Sequence, residues 1–276
     1  MNTNEHDFVN FAKKECKFML TLERQEEILS ILNENKSATV DELASELFVS
    51  SATIRRDLRE MEKQGLIKRS HGGAMLFKSS AEDSAFALRE QENTDKKRTI
   101  AHLASKLVKS GDSIFLDSST TTGFLIPKLN LFNVLSVTTT GLRNALLLSQ
   151  TEHIKIYLPG GQILNHSNSI IGSDTIEYIS RMHSDVAFIS CSGVDLVNGF
   201  TDTSIEQARL KRQMRKNSRK VAMLVDSTKF NKTFLCSDFS FDEVDYLITD
   251  KTPPIEFVEK VAQTNCKIIT PENTDY

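Results

Sequence analysis

Residues 40–66 read VDELASELFVSSATIRRDLREMEKQGL, and this stretch decides the fold of the N-terminal part of the chain. A segment with apolar residues at helical spacing is followed by the short turn Phe48-Val49-Ser50 and by a second amphipathic segment. Ser50 suits the N-cap of the second segment, because its hydroxyl can accept a hydrogen bond from an early helical N–H. Gly65 is a natural stop for that helix. The sequence therefore predicts a helix-turn-helix whose second helix runs from about Ser51 to Gln64.

The second helix carries its cations on the side opposite its apolar residues. Ile54, Leu58 and Met61 stand at i, i+4 and i+7 and form the predicted core face. At about 100° per residue, Arg56 and Arg59 lie on the far side. Two apolar segments follow, at 66–69 and 74–76, and they can pair as a small β-wing. Such a helix with a wing fits double-stranded DNA, the helix in the major groove and the wing on the neighbouring backbone.

Composition sets limits on the remaining possibilities. With 276 residues the chain has room for two domains. The net charge of −3 excludes a uniformly basic nucleic-acid coat but permits a local basic patch. Apolar runs are too short to span a membrane, and the first twenty residues are too charged for a secretory signal. We therefore expect a cytoplasmic protein with no membrane partner.

The four cysteines, at positions 16, 191, 236 and 266, lie far apart in sequence. This spacing argues against zinc or a disulfide framework and favours reduced thiols. Cys191 follows an apolar run and is interpreted as a small buried hydrophobe, with a nucleophile as the alternative. We expect neither a metal nor a cofactor.

The later part of the chain alternates apolar strand-like runs with helix-length segments, which indicates an α/β domain with a mostly parallel sheet. The predicted strands are 113–116, 134–138, 154–158, 185–190, 221–225, 245–249 and 267–270. The predicted organisation is an N-terminal extension at 1–20, a winged helix-turn-helix domain at 21–76, a linker at 77–93 and a larger α/β domain at 94–270.

Polar clusters follow several of these runs directly. They are Asp117–Thr121, Thr138–Gly141, Pro159–Gly161, Ser192–Asp195 and Asp226–Lys229. Because the carboxyl ends of parallel strands share one sheet edge, we expect these clusters to form a pocket there. Free N–H groups and hydroxyls at a helix start suit an anion such as phosphate. Each cluster taken alone is better explained as a helix cap, a turn or a solvated lysine, and only the five clusters together at one sheet edge favour a pocket.

The motifs Thr53-Ile54-Arg55-Arg56-Asp57-Leu58 and His71-Gly72-Gly73-Ala74 resemble the DeoR family of bacterial transcriptional regulators. This resemblance implies a regulator, usually a repressor, that binds operator DNA as a homo-oligomer, either a dimer or a tetramer. It implies that the following residues face DNA: Ser51, Thr53, Arg55, Arg56, Arg59, Lys63, Lys68, Arg69 and His71. Alternatively, Arg55 or Asp57 forms an ion pair within the domain.

The resemblance extends to about Asp250, through Gly160-Gly161, Lys211 and Asp226-Ser227-x-Lys229-Phe230. It implies a sensor domain with the fold of ribose-5-phosphate isomerase, a phosphorylated sugar as effector, control of a carbohydrate-utilisation operon, and a phosphate held at Asp117–Thr121. The candidate effector-binding residues are Asp117, Ser118, Ser119, Thr120, Thr121, Thr138, Thr139, Gly160, Gly161, Lys211 and Lys229. The chain departs from the family in having Ser119 where glycine is usual and Thr139 where asparagine is common.

Two other functions stay open on the sequence alone. A sugar-phosphate isomerase would need a carboxylate base, for which Asp117, Asp195 and Glu206 are the candidates. Alternatively, the chain is a regulator whose pocket is vestigial and binds no small ligand.

Overall fold

The computed structural model describes residues 21–35, 37–63, 66–70, 72–76 and 83–273. The chain separates into two compact units, with the boundary between Leu88 and Arg89. The predicted extension at 1–20 and positions 77–82 of the predicted linker lie outside the described residues. No helix in the described ranges is long and apolar enough to cross a membrane.

The first unit is a winged helix-turn-helix. Its elements are α1 (Thr21–Asn35), β1 (Ser37–Thr39), α2 (Val40–Glu46), α3 (Ser51–Lys63), β2 (Ile67–Ser70) and β3 (Gly73–Leu76). The strands β2 and β3 form the predicted antiparallel wing, in which Arg69 lies opposite Ala74. The short strand β1, which the sequence did not indicate, pairs with the other side of β3.

The core of this unit confirms the predicted orientation of α3. Ile54, Leu58 and Met61 are all fully buried, where they join Leu43 of α2 and Leu32 of α1. The hydroxyl of Ser50 accepts from the Thr53 N–H at 3.1 Å, which confirms the predicted N-cap. The turn before it passes through Phe48 at a φ of 53°, with the aromatic ring 85% exposed.

The predicted linker contains a helix, α4 (Asp83–Gln91), which continues across the boundary between the units. Ala87 and Leu88 pack against the core of the first unit, and Phe86 is buried. Polar residues around this segment hide its short apolar face, so the sequence pattern does not show a helix there.

The second unit is built on a seven-stranded parallel sheet in the order β15-β14-β12-β9-β4-β5-β6. The strands are β4 (Ser113–Leu116), β5 (Leu135–Thr139), β6 (Ile154–Tyr157), β9 (Ser184–Ile189), β12 (Ser218–Leu224), β14 (Tyr246–Ile248) and β15 (Lys267–Ile269). All seven predicted strands are present. Along β4, Ile114 and Leu116 enter one core while Phe115 enters the other, so both faces of the sheet are covered.

Helices cover this sheet. They are α5 (Thr94–Ser105), α6 (Thr120–Gly123), α7 (Ile126–Leu129), α8 (Leu142–Leu148), α9 (Ser173–Ser180), α10 (Ile205–Lys216) and α11 (Ile255–Val261). Two smaller antiparallel groups add to it: the hairpin of β7 (Gln162–Leu164) and β8 (Ser169–Ile171), and a sheet of β10 (Gly193–Asp195), β11 (Gly199–Asp202) and β13 (Cys236–Phe239). Strands of three or four residues are too short for alternation to reveal them.

Candidate functional site

The exposed face of α3 carries three arginines. Arg55, Arg56 and Arg59 are exposed, on the side away from the buried Ile54 and Leu58. In α3 the cations therefore project to solvent, as the helical spacing predicts. A helix of this kind can present guanidinium groups to phosphates and to base edges in a major groove.

The acidic residue among these arginines is turned inward. Asp57 is 3% exposed and receives two hydrogen bonds from Arg24 of α1, from Nε at 2.5 Å and from Nη2 at 3.1 Å. The hydrogen bond to Asp57 raises the pKa of Arg24 above its ordinary value. An internal ion pair was the alternative for Arg55 or Asp57, and Asp57 forms such a pair. The carboxylate charge is thus neutralised inside the domain and does not oppose the exposed cations.

Other predicted DNA contacts have partners inside the unit. The Ser51 hydroxyl donates to Asp41 at 3.0 Å, and the Thr53 hydroxyl lies 2.8 Å from that of Ser50. Arg69 of the wing lies 3.8 Å from the Glu62 carboxylate, which also accepts from the Arg69 N–H. These contacts fix the start of α3 and the angle of the wing. The side chains of Lys63 and Lys68, and all of His71, lie outside the described residues.

In the second unit, the predicted effector residues surround the switch point of the sheet. The chain order runs outward from β4 through β5 to β6, and from β9 through β12 to β15 on the other side, so it reverses between β4 and β9. Ligands of open parallel sheets bind at such points. Asp117 directly follows β4 and Ser190 directly follows β9.

Asp117 organises the loop that follows β4. One carboxylate oxygen accepts from the Ser119 N–H at 2.9 Å and from the Thr122 hydroxyl at 2.7 Å, and the other accepts from the Ser190 N–H at 2.9 Å. The Ser119 hydroxyl accepts from the Thr122 N–H and caps α6. The side chain at the position where the family has glycine is thereby held against α6.

Lys229 brings an ammonium group to this loop. Its Nζ donates to the Ser190 hydroxyl at 2.9 Å and to the Thr121 hydroxyl at 3.4 Å, and lies 3.7 Å from Asp226. The nearby Thr120 hydroxyl donates to the carbonyl of Arg89 at 3.3 Å. Hydroxyl donors and one ammonium thus meet at the carboxyl ends of β4, β9 and β12.

Lys97 of α5 is a second ammonium here, and it was absent from the predicted site residues. It is 3% exposed and donates to the carbonyl of Arg89. Burial, together with repulsion from Lys229, lowers the pKa of Lys97 to about 8, although Asp226 acts in the opposite direction. Such a group gains from a nearby anion, since an opposite charge offsets its desolvation.

Lys211 occupies a different place from the one expected for an effector ligand. Its ammonium is 5% exposed and donates to the Ser190 carbonyl at 2.6 Å and to Asp202. Asp238 and Asp117 lie 3.7 and 3.8 Å away. Burial opposes this charge, but Asp202 and the other carboxylates outweigh it and raise the pKa of Lys211. Lys211 therefore touches the site through Asp117 and Ser190.

The remaining predicted positions are less directly joined to the loop. Thr138 is buried, and the buried hydroxyl of Thr139 accepts from the Gly141 N–H at 3.1 Å. The carbonyl of Gly160 accepts from Thr175 at 2.9 Å, and a Cβ at Gly161 would lie 2.2 Å from the Thr175 hydroxyl. No hydrogen bond between residues that the structure describes links either glycine to the 117–121 loop.

Comparison with known proteins shows to which family the chain belongs. Residues 24–80 match the DeoR-like helix-turn-helix domain, and residues 92–251 match the DeoR C-terminal sensor domain. The chain belongs to the DeoR family of transcriptional regulators. This confirms the resemblance read from the motifs.

Several DeoR-family relatives align along most of their length. The HTH-type transcriptional regulator GolR of Listeria innocua is 37% identical over 232 residues, covering 84% of this chain and 91% of the relative. The glycerol-3-phosphate regulon repressor of Escherichia coli is 31% identical over 241 residues, covering 87% and 95%. Among solved structures, ribose 5-phosphate isomerase A of Methanocaldococcus jannaschii matches with a TM-score of 0.38 and 20% identity, over 50% of this chain and 55% of that one.

The DeoR-family relatives are named as transcriptional regulators or repressors rather than as enzymes, and this chain is a DNA-binding transcriptional regulator of that family. Two of the three candidate bases, Asp195 and Glu206, are weakened as bases by their hydrogen bonds. Hydrogen bonds from the Asn198 N–H and neighbouring donors lower the pKa of Asp195, and backbone and Ser204 hydrogen bonds lower that of Glu206. A carboxylate with a lowered pKa is a weaker base. Burial raises the pKa of Cys191 to about 12, which is unfavourable for a nucleophile.

Proposed function

We propose that this DeoR-family protein represses a carbohydrate-utilisation operon and that a phosphorylated sugar bound in its second unit changes its affinity for operator DNA. The observation that carries the effector proposal is the contact of the Lys229 ammonium with the hydroxyls of Thr121 and Ser190 at the sheet's switch point, with the Lys97 ammonium close enough to be repelled by Lys229. Two ammonium groups and several hydroxyl donors match an anion with several acceptor oxygens.

The name of one relative supports the same class of ligand. The Escherichia coli protein is named for a regulon of glycerol-3-phosphate, a phosphorylated polyol. In our proposal the phosphate accepts from Lys229 and from the 117–121 loop, while Asp117 keeps that loop in shape. The hydroxyl-bearing remainder of the ligand extends away from β4 and β9.

For DNA, we propose that Arg55, Arg56 and Arg59 contact the duplex from the exposed face of α3. The wing adds Lys68 and Arg69 of β2 and the following His71, and Ser51, Thr53 and Lys63 complete the surface. Two copies would read two half-sites of a symmetric operator, so we propose a homo-oligomer, either a dimer or a tetramer.

The DNA arm of the test is fluorescence anisotropy with a labelled fragment from upstream of the gene. Arg56→Ala should weaken binding by about 1–3 kcal/mol if the side chain reads a base, and should lower the salt dependence if it contacts a phosphate. Arg181→Ala, at an exposed arginine of the second unit, is the matched control and should change nothing. Unchanged binding by Arg56→Ala would contradict the assignment of this face.

The effector arm adds a panel of sugar phosphates to the same complex. At least one should shift the operator affinity of the wild type, with a coupling of about 1–3 kcal/mol. Lys229→Ala should abolish the shift and leave DNA affinity intact, whereas Lys232→Ala, at an exposed lysine nearby, should leave both intact. If no sugar phosphate shifts the wild-type curve, the vestigial-pocket alternative is correct.

A further inference from the structure

A row of hydrogen bonds leads from α10 to the 117–121 loop. The Gln207 side-chain amide donates from Nε2 to the Ser169 hydroxyl at 2.8 Å, and the Ser169 hydroxyl donates to the Ser118 hydroxyl at 2.5 Å. Ser169 is fully buried and Ser118 is 8% exposed. Gln207 is half-buried in the first turn of α10, where its N–H is capped by the Ser204 hydroxyl. This row connects a residue outside the predicted site to the second residue of the anion loop.

The row has a direction because its first member is an amide N–H₂, which donates and does not accept. Ser169 accepts that hydrogen bond. Its hydroxyl also lies 2.9 Å from the Ser167 hydroxyl and 3.4 Å from the Ser167 carbonyl, and the 2.5 Å contact with Ser118 is the shortest of the three, so we assign its single hydrogen to Ser118. Ser118 then accepts from Ser169 and does not donate its own hydrogen to it. Among the described residues, Ser118 Oγ makes no second hydrogen bond. The Ser118 hydroxyl is therefore left to donate to a ligand beside the loop.

We propose that Gln207 is a positioning residue that sets the Ser118 hydroxyl as a hydrogen-bond donor and so selects fully ionised oxyanions. This inference rests on the proposed anion site and names the ligand chemistry that one of its hydroxyls prefers. An oxyanion without protons offers acceptors only, which matches a loop of donors. A ligand that must itself donate at this position meets Ser118 as a competing donor.

The test uses two tetrahedral inorganic dianions of similar size, only one of which carries a hydrogen. Sulfate only accepts hydrogen bonds, whereas hydrogen phosphate at pH 8 also carries one donor. In Gln207→Glu, the carboxylate takes the hydrogen of Ser169, so Ser118 donates to Ser169 and presents lone pairs to the ligand. The added negative charge weakens both dianions alike. The ratio of their dissociation constants therefore reports on Ser118 alone.

Titrations of the full chain, followed by thermal shift at constant ionic strength, give both constants. We expect Gln207→Glu to raise the dissociation constant of sulfate about tenfold more than that of phosphate, the size of one hydrogen bond to a charged group. Gln207→Met, which keeps the shape and loses the hydrogen bond, should change the ratio less. In a Ser118→Ala background, Gln207→Glu should leave the ratio unchanged.

The outcomes separate the two claims. Equal weakening of both dianions by Gln207→Glu would overturn the directional row while leaving the anion site in place. A wild type that responds to neither dianion nor any sugar phosphate would overturn the proposed effector function and this inference with it. If Gln207→Glu does not fold, an unchanged ratio in Gln207→Met decides against the inference.

Discussion

The ion pair between Arg24 and Asp57 offers the most direct test of how the DNA-binding unit is held. It joins α1 to α3 through two hydrogen bonds, and its side chains are only 11% and 4% exposed. Asp57→Asn removes the buried carboxylate charge that faces the Arg24 guanidinium and breaks this ion pair. Because breaking a buried pair costs about 3–5 kcal/mol and this pair lies near the surface of a small unit, we expect about 3 kcal/mol of destabilisation.

Calorimetry of the full chain checks this value, since two compact units should give separable transitions. A loss of about 3 kcal/mol corresponds to roughly 12–24 °C in a unit of this size, and the transition of the second unit should stay in place. Replacing both residues, as in Arg24→Met with Asp57→Leu, should recover most of the loss, because an apolar pair needs no counterion. A single variant that melts like the wild type would refute the reasoning.

Three further predictions follow from particular side chains. Phe48→Asn should stabilise the first unit by roughly 1 kcal/mol, since asparagine tolerates the positive φ that a bulky residue adopts at a cost; thermal unfolding measures this. Lys211→Met should destabilise the second unit by about 3–5 kcal/mol, because Asp202 and Asp238 stay buried without the ammonium, and stability should then fall as pH rises and these two carboxylates ionise. Anion affinity should fall as pH rises past about 8, because Lys97 then loses its proton. The Lys97→Met variant should bind anions weakly, with an affinity that does not change with pH above 7. Calorimetry at pH 7.5 and 9.5 measures both affinities, and a wild-type affinity that is equal at the two pH values would contradict the prediction.

The periodic parts of the fold were predictable because burial leaves a repeat in the sequence. Ile54, Leu58 and Met61 mark one side of a helix, and the seven parallel strands are buried on both faces, so each is an apolar run. Strands that form only by pairing with another strand, and that bury little surface by themselves, leave no such repeat in the sequence. The strand β1 exists because it pairs with β3, and β10, β11 and β13 are three or four residues long.

The candidate site was predictable in its location and only partly in its members. Polar clusters after apolar runs pointed to the carboxyl edge of the sheet, where Lys229 does contact Thr121 of the 117–121 loop. Sequence reasoning treats a lysine as a solvated cation, so it did not separate the buried Lys211, held by carboxylates, from Lys229 at the loop. Lys97 escaped for the same reason, because only tertiary packing buries its stem on α5.

Charge burial explains how a chain of net charge −3 presents cationic surfaces in both units. In α3, the one carboxylate at the centre of the arginine run turns inward to Arg24, so the exposed side keeps its positive charge. In the second unit, the carboxylates of Asp202 and Asp238 lie around Lys211 behind the loop, and the two residues are only 3% and 0% exposed. Lys97 and Lys229 lie on the loop side, away from Asp202 and Asp238, with Asp226 as their nearby carboxylate. In each unit an internal ion pair removes negative charge from the surface that is proposed to bind phosphate. Disrupting the ion pair of Arg24 with Asp57, or that of Lys211 with its carboxylates, should therefore weaken anion binding as well as lower stability.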